Sequence, residues 1–457
     1  MKRTLLTLTM FLCATAVNAQ WIKQPVNTAA SFRGLSVVNE NVIWASGTGG
    51  TVIRTIDGGK NWNVIQVPGA EKLDFRDVEA FDAKTAYILS IGNGDASRIY
   101  KTIDGGKNWQ LQFTNKDEKA FFDAIACWDA KNCIAMSDPV DGHYVLFSTT
   151  DGENWKPIVS NQMPAAKDGE AAFAASGTCL IVNGQNDVYL VSGGTDARVF
   201  RSTDRGLTWS VAEAPIIKGT AGSGIFSIAM RDSKNGTIVG GNYEKPDERN
   251  NTSATTEDGG KTWVNGSTLG GYRSAAAYID RNTIIAVGPN GSDVSFDRML
   301  RWQPVGKENL NSVGSKGKNA TWAVGPNGAM FKLNPGAVTN GHIGSVPSKL
   351  IYPHIANVTN LGLSDNLISP NCFDVNRKCN SSRQLTVRTT FHEVDIPFEI
   401  LYTVSAGGII GDGANVTWDL TGVDAGQYTI TAGLSLPHRV FGWKVFGQTQ
   451  TRILTIE

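Results

Sequence analysis

The chain has 457 residues, enough for two or three domains and a large core. Its 42 basic residues (Lys and Arg) balance 42 acidic ones, so no net charge draws it toward nucleic acid or an anionic membrane surface. The 50 glycines and 12 tryptophans, set among short runs of Val, Ile, Thr, Tyr and Phe, point to strands and turns, an all-β chain, rather than helices.

Residues 1–19 read as a signal peptide. Lys2 and Arg3 form a basic start, Leu5 to Cys13 an apolar stretch too short to span a bilayer, and Val17-Asn18-Ala19 a small-residue cleavage site. The mature protein is therefore expected to be exported, without membrane insertion, and its cysteines can oxidise. Cys127 and Cys133 flank WDAKN, and Cys372 and Cys379 flank FDVNRK, so two local disulfides are expected, with Cys179 left as a buried thiol. Zinc is the alternative for these cysteines, but there is no C-x-x-C and no paired histidine, so no metal is expected.

The string TIDGGKNW occurs at 55–62 and again at 102–109. Related strings follow at 148–155, 201–209 and 256–263, and a worn copy, SFDRMLRW, at 295–302. The spacing is about forty to fifty residues, one four-stranded propeller blade. In the first copy FRGLSVV, NVIWASG, TVIRTID and NWNVIQV read as four strands, which puts DGGKN in a hairpin turn. Blades are expected at 32–68, 75–113, 121–158, 170–214, 224–267, 273–305 and 311–333. The last lacks a fourth strand, and WIKQPV at 21–26 is expected to supply it and close the ring. The fold class is thus a seven-bladed β-propeller over 20–335. A Pro/Gly/Ser-rich linker follows at 336–350. Alternating strands over 351–457 suggest an Ig-like or PKD-like β-sandwich. The histidines of this second half are scattered singles, the pattern of surface or packing residues.

The repeated turn resembles the Asp-box (BNR) motif of sialidases, sortilin-type receptors and some glycosidases. The resemblance implies a structural role for Asp57 and Trp62, Asp104 and Trp109, Asp151 and Trp155, Asp204 and Trp209, and Asp258 and Trp263. The acid would accept turn amides, glycine would supply positive φ, and tryptophan would pack between blades. Residues 20–335 as a whole resemble the photosystem II stability/assembly factor family and its exported bacterial relatives. That likeness implies binding of a protein partner through an arginine-rich face. The appended sandwich departs from the photosynthetic members, so no photosystem role carries over.

Strand alternation puts the Asp-box turns at one end of every blade and the starts of the first strands at the other, where a funnel is expected. Aligning FRGL (32–35), FRDV (75–78), FFDA (121–124), EAAF (170–173), IFSI (225–228) and YRSA (272–275) brings Arg33, Arg76 and Arg273 into one register. Asp123 and Glu170 fall at nearly the same level. The third strands add Arg98 and Arg198, and the loops between second and third strands add Asp138, Asp141 and Asp293. A single such arginine is more often a brace between blades. A convergent set suits a carboxylate or phosphate.

Two functions follow from this pattern. The first is a non-catalytic, monomeric binding or assembly module that recognises a protein partner or an anionic glycan. The second is a glycoside hydrolase, sialidase-like or xyloglucanase-like, with Glu170, Asp138 and Tyr272 as candidate catalytic residues. The sialidase F/Y-R-I-P string is here FRGL, without its proline. Paired carboxylates at a suitable separation would be required. GTGG and GTAGSG precede no amphipathic helix and read as loops, so no nucleotide or other cofactor is expected.

Overall fold

The computed structural model describes residues 20–159, 162–296, 301–338, 358–364, 367–368, 379–380, 383–391, 399–411, 414–435 and 446–456. The chain divides into two compact units, Met1–Pro347 and Ser348–Glu457. Among the described residues both are built of strands, with only short 3-10 turns at Gly94–Ala96 and Pro335–Val338.

The described residues of the first unit form seven antiparallel sheets in chain order. The first is made of Phe32–Val37, Ile43–Gly47, Thr51–Thr55 and Asn63–Gln66. The second runs from Phe75–Ala80 to Gln110–Thr114 and the third from Phe122–Cys127 to Lys156–Pro157. The fourth runs from Leu180–Asn183 to Ser210–Glu213, the fifth from Ser223–Met230 to Val264–Asn265, and the sixth from Ala275–Tyr278 to Gln303–Gly306. The seventh contains Ser312–Ser315, Thr321–Val324 and Met330–Leu333, and takes Trp21–Lys23 as its fourth strand, Trp21 facing Leu333. Trp21 is buried and its indole nitrogen donates to Ser292 Oγ at 2.9 Å.

The fourth sheet differs from the sequence expectation. Its first strand starts at Leu180, not near Glu170. Glu170–Ala171 instead pairs with Gly193–Gly194, which is joined to the inner strand of the fifth sheet. EAAF resembles the strand starts FFDA and IFSI, but the residues after it form an inserted segment.

The repeated turns are hydrogen-bonded alike. Asp57 Oδ1 accepts the Thr55 hydroxyl at 2.7 Å and the Asn61 amide at 2.9 Å, and Oδ2 accepts the Asn61 side chain at 2.7 Å. Asp104 makes the same set with Thr102 and Asn108, and Asp258 with Thr256 and Thr262. Gly58 and Gly59 sit at φ 72° and 88°, where a side chain would strain the turn. These bonds hold the Asp57 carboxyl down at about 2.

Three of the box tryptophans reach the sheet before their own. Trp109 packs edge-on to Trp44 at 6.4 Å, Trp155 to Tyr87 at 6.2 Å, and Trp62 to Trp322 of the seventh sheet at 5.7 Å. Phe32, Ile43 and Trp322 share one buried cluster, so the first and last sheets pack together. Trp302 of the worn copy is buried, whereas its Asp297 lies outside the described residues.

Cys127 and Cys133 are disulfide-bonded across the third-sheet hairpin, and Cys179 is a buried free thiol. The Cys372–Cys379 pairing lies outside the described residues. In the second unit a four-stranded and a five-stranded sheet share a core that includes Leu385, Val387, Trp418, Ile430 and Leu454. No helix among the described residues is long and apolar enough to cross a membrane.

Candidate functional site

The inner strands of the sheets carry a common irregularity. In the first sheet Phe32 faces Gly47 and Gly34 faces Ser46, which leaves Arg33 as the extra residue of a β-bulge. The same step leaves Arg76 extra in the second sheet, Asp123 in the third and Phe226 in the fifth. In the sixth, Ala275 faces Val287 while the Ser274 amide also donates to the Val287 carbonyl at 2.8 Å. In the seventh, Ser312 faces Val324 and the Asn311 amide donates to Val324 at 2.7 Å. A bulge unpairs one residue and re-aims its side chain. Arg33, Arg76, Asp123, Phe226, Ser274 and Asn311 all line one cavity of about 430 Å³. Strand pairing places Arg33 and the Asp57 turn at opposite ends of their sheet.

Arg273 does not join this set. Ser274 occupies the bulge position and Arg273 precedes it, equivalent to Phe32. A one-residue slip in register turns a strand side chain to the other face. Arg273 is 2% exposed and bound to Asp293 Oδ2 through Nε at 2.7 Å and Nη2 at 2.6 Å. Its Nη1 donates to the Tyr272 carbonyl and to Asn290 Oδ1. Arg273 and Asp293 are therefore a buried brace.

Arg198 and Glu170 form a second buried pair. Arg198 Nε donates to Glu170 Oε1 at 2.9 Å and Nη2 donates to Oε2. Glu170 also accepts the Ser192 hydroxyl and the Lys167 amide. Arg98 is paired with Asp95 at 3.4 Å. None of these residues lines the cavity. Asp141 is an exposed partner of Lys119.

The inserted segment Phe173–Thr178 ties the inner strands together. The Ala175 carbonyl accepts Arg33 Nη1 at 3.0 Å, and the Ala174 carbonyl accepts Arg76 Nη1 at 3.3 Å. The Ser176 hydroxyl donates to the Ser274 carbonyl at 2.9 Å, and the Thr178 hydroxyl donates to Ser227 Oγ at 2.7 Å. At Gly177, φ is 78°, and a Cβ would lie 2.2 Å from Asp77 Oδ1, so no other residue fits there. Asp77 is fully enclosed, accepts the Val78 and Ile125 amides, and is pushed up to about 7 by burial.

The cavity is therefore lined by two guanidiniums, two carboxyl groups and an aromatic wall. Arg76 is paired with Asp74 at 2.8 Å. Arg33 has no carboxylate partner among the described residues, and burial followed by the charge of Arg76 lowers its pKa. Asp138 accepts the Ala172 amide at 2.7 Å, and burial raises it to about 6. Asp123 is 1% exposed, and its Oδ2 has no hydrogen-bond partner among the described residues. Burial and then the neighbouring Asp138 push it well above the ordinary carboxylate range. Phe173 and Phe226 stack at 3.8 Å, 6° from parallel. Tyr243 meets both edge-on, and Tyr272 meets Phe226 at 4.6 Å. Burial raises the Tyr272 phenol.

Of the residues suggested by the sequence, Arg33, Arg76, Asp123, Asp138 and Tyr272 line this cavity. Phe173, Phe226 and Tyr243 line it as well and carry no motif in the sequence. The available signal was Phe226, in IFSI, at the alignment position of Arg33.

No family model matches the chain, and no curated protein matches it. Solved structures do. A structure of YCF48 bound to D1 peptide is 16% identical with TM-score 0.51, covering 69% of this chain and 96% of that one. YCF48 from Cyanidioschyzon merolae is 18% identical with TM-score 0.50, covering 70% and 100%. A GH74 enzyme of Niastella koreensis is 14% identical with TM-score 0.47, covering 91% of this chain and 59% of that one. The likeness to the two YCF48 structures is one of fold: the first unit is propeller-like and all-β.

Proposed function

We propose that residues 20–335 are a seven-bladed β-propeller, closed by Trp21–Lys23, and that this exported, monomeric module binds a protein partner through an anionic group held at Arg33 and Arg76. The Ig-like or PKD-like unit at 351–457 is appended to it. The observation that carries this reading is Arg33. A guanidinium without a carboxylate partner among the described residues, drawn out of water into a cavity, suits a carboxylate brought by a ligand. One structure of similar fold is bound to a peptide, which supports a peptide as the form of the partner. An array of acidic and neutral peptides probed with the full chain tests the reading. Carboxylate-bearing peptides should be retained and should be lost with Arg33→Gln. Retention indifferent to peptide charge and to Arg33 would refute it.

A specific observation also favours a hydrolase. Asp123 and Asp138 line one cavity, and burial raises Asp123 further than Asp138, so a protonated carboxyl can face an ionised one, as an acid and base pair requires. The other candidates oppose it. Glu170 is consumed by Arg198, and Tyr272 is held protonated by burial. Turnover of a xyloglucan oligosaccharide or aryl sialoside, lost in Asp138→Asn, would establish the hydrolase. No turnover is expected.

A further inference from the structure

Resting on the reading of the cavity as an anion site, we infer that its ligand is an aromatic carboxylate: a carboxyl group one short spacer away from a flat ring. The two halves of the cavity specify the two halves of the ligand. Arg33 and Arg76 present guanidiniums, and Arg33 is free of any carboxylate among the described residues. Arg33 spends one hydrogen bond on the Ala175 carbonyl, while a guanidinium carries five N–H donors. Asp123, on the same ring of bulged positions, has a bare buried Oδ2. A bare carboxylate there would repel an anion, but burial beside Asp138 favours the protonated form, which donates a hydrogen bond. The polar half thus offers the donors of Arg33, Arg76 and protonated Asp123 to an acceptor-only group, while Asp138, the carboxylate of the lining at neutral pH, is engaged by the Ala172 amide.

The other half is aromatic. Phe173 comes from the inserted segment and Phe226 from the fifth sheet, and their stacking brings a ring from each to the same wall. Tyr243 crosses the edges of both and is 49% exposed, unusual for a large ring that also lines a cavity. Aromatic groups prefer stacked or edge-on partners, and this wall offers both orientations. The volume of about 430 Å³ lies in the small-molecule range and admits one or two residues rather than a folded surface. A carboxylate alone would leave the exposed ring of Tyr243 uncovered, and an aromatic group alone would leave Arg33 unneutralised.

Such a ligand has two sources, a free aromatic acid or the end of a peptide whose last residue is aromatic. Calorimetric titration of the full chain with N-acetylphenylalanine, its amide, N-acetylalanine and a hexapeptide ending in phenylalanine separates them. N-acetylphenylalanine should bind, with its amide and the alanine compound each weaker by about tenfold or more, the size of one lost charge-assisted bond or ring contact. Arg33→Gln should remove the preference for the acid over the amide. Tyr243→Ala, checked for a melting temperature equal to that of the parent, should remove the preference for phenylalanine over alanine. A hexapeptide binding at least about tenfold tighter than N-acetylphenylalanine identifies a chain end, and equal affinity identifies a free acid. Equal binding of phenylalanine and alanine compounds, with Arg33 still required, would overturn the inference and leave the anion site standing. Binding of none of the four would overturn the inference, and the peptide array then decides the anion site separately.

Discussion

Arg273 grips Asp293 through two nitrogens, Nε at 2.7 Å and Nη2 at 2.6 Å, with both side chains almost wholly buried. This pair holds the sixth sheet together beside the cavity without facing it. Removing one partner of a buried pair strands the other charge, at about 3–5 kcal/mol. Arg273→Ala should therefore lower stability by about that amount in chemical denaturation. Any surviving folded protein should keep its ligand affinity. A variant of normal stability that no longer binds would assign Arg273 to the site.

Asp57 sits at the far end of its sheet from Arg33, and its role is to accept the turn donors of Thr55 and Asn61. Its carboxyl is held at about 2, chiefly by those hydrogen bonds. A depressed carboxyl stabilises the fold above its unfolded value, near 4, and loses that contribution as pH falls toward 2. Asp57→Ala should lower the melting temperature at pH 7, and the difference from the parent should shrink on acidification. Ligand affinity should not change. Equal melting temperatures at pH 7 would remove the turn from the stabilising elements.

Asp138 shows the opposite sign. Burial raises it to about 6, so its contribution is fully present below about pH 4 and is lost as pH rises through 6. Asp138→Asn removes the ionisation. Relative to the parent, this variant should gain thermal stability between pH 4 and pH 8. A parent-to-variant difference that stays flat across that range would show that Asp138 is not desolvated.

Trp21–Lys23 fills the outer edge of the seventh sheet, and Trp21 reaches Ser292 of the sixth. Deleting residues 20–27 would leave Met330–Leu333 as an unpaired edge and empty the Trp21 pocket. Soluble yield should fall and the remainder should aggregate. A deletion variant that elutes and melts like the parent would contradict closure by the N-terminal strand.

Much of this architecture was written in local pattern. The Asp-box strings repeat because each turn needs the same acceptor, hydroxyl and positive-φ positions, and those are visible as letters. Alternation along the strands likewise put Arg33 and Asp57 at opposite ends. Two features were not legible, for the same reason. YRSA matches FRGL by eye, but the bulge falls on Ser274, and one residue of register decides whether a side chain meets the cavity or Asp293. EAAF matches FFDA, yet the fourth inner strand begins later, and the intervening Phe173–Thr178 segment crosses to several sheets. Bulges and insertions are set by hydrogen-bond partners distant in sequence, so no local string announces them. The aromatic wall inherits that opacity, because Phe173, Phe226 and Tyr243 meet only through tertiary packing.

In the proposed site the bulged positions together bind one ligand, and Arg33 receives its carboxylate. Diffraction from crystals of the full chain soaked with N-acetylphenylalanine tests it most directly. The expected result is density in the cavity, with a carboxylate oxygen within hydrogen-bond distance of the Arg33 guanidinium and the ring against Tyr243. Density seated elsewhere on the protein, or an empty cavity at saturating concentration, would contradict it.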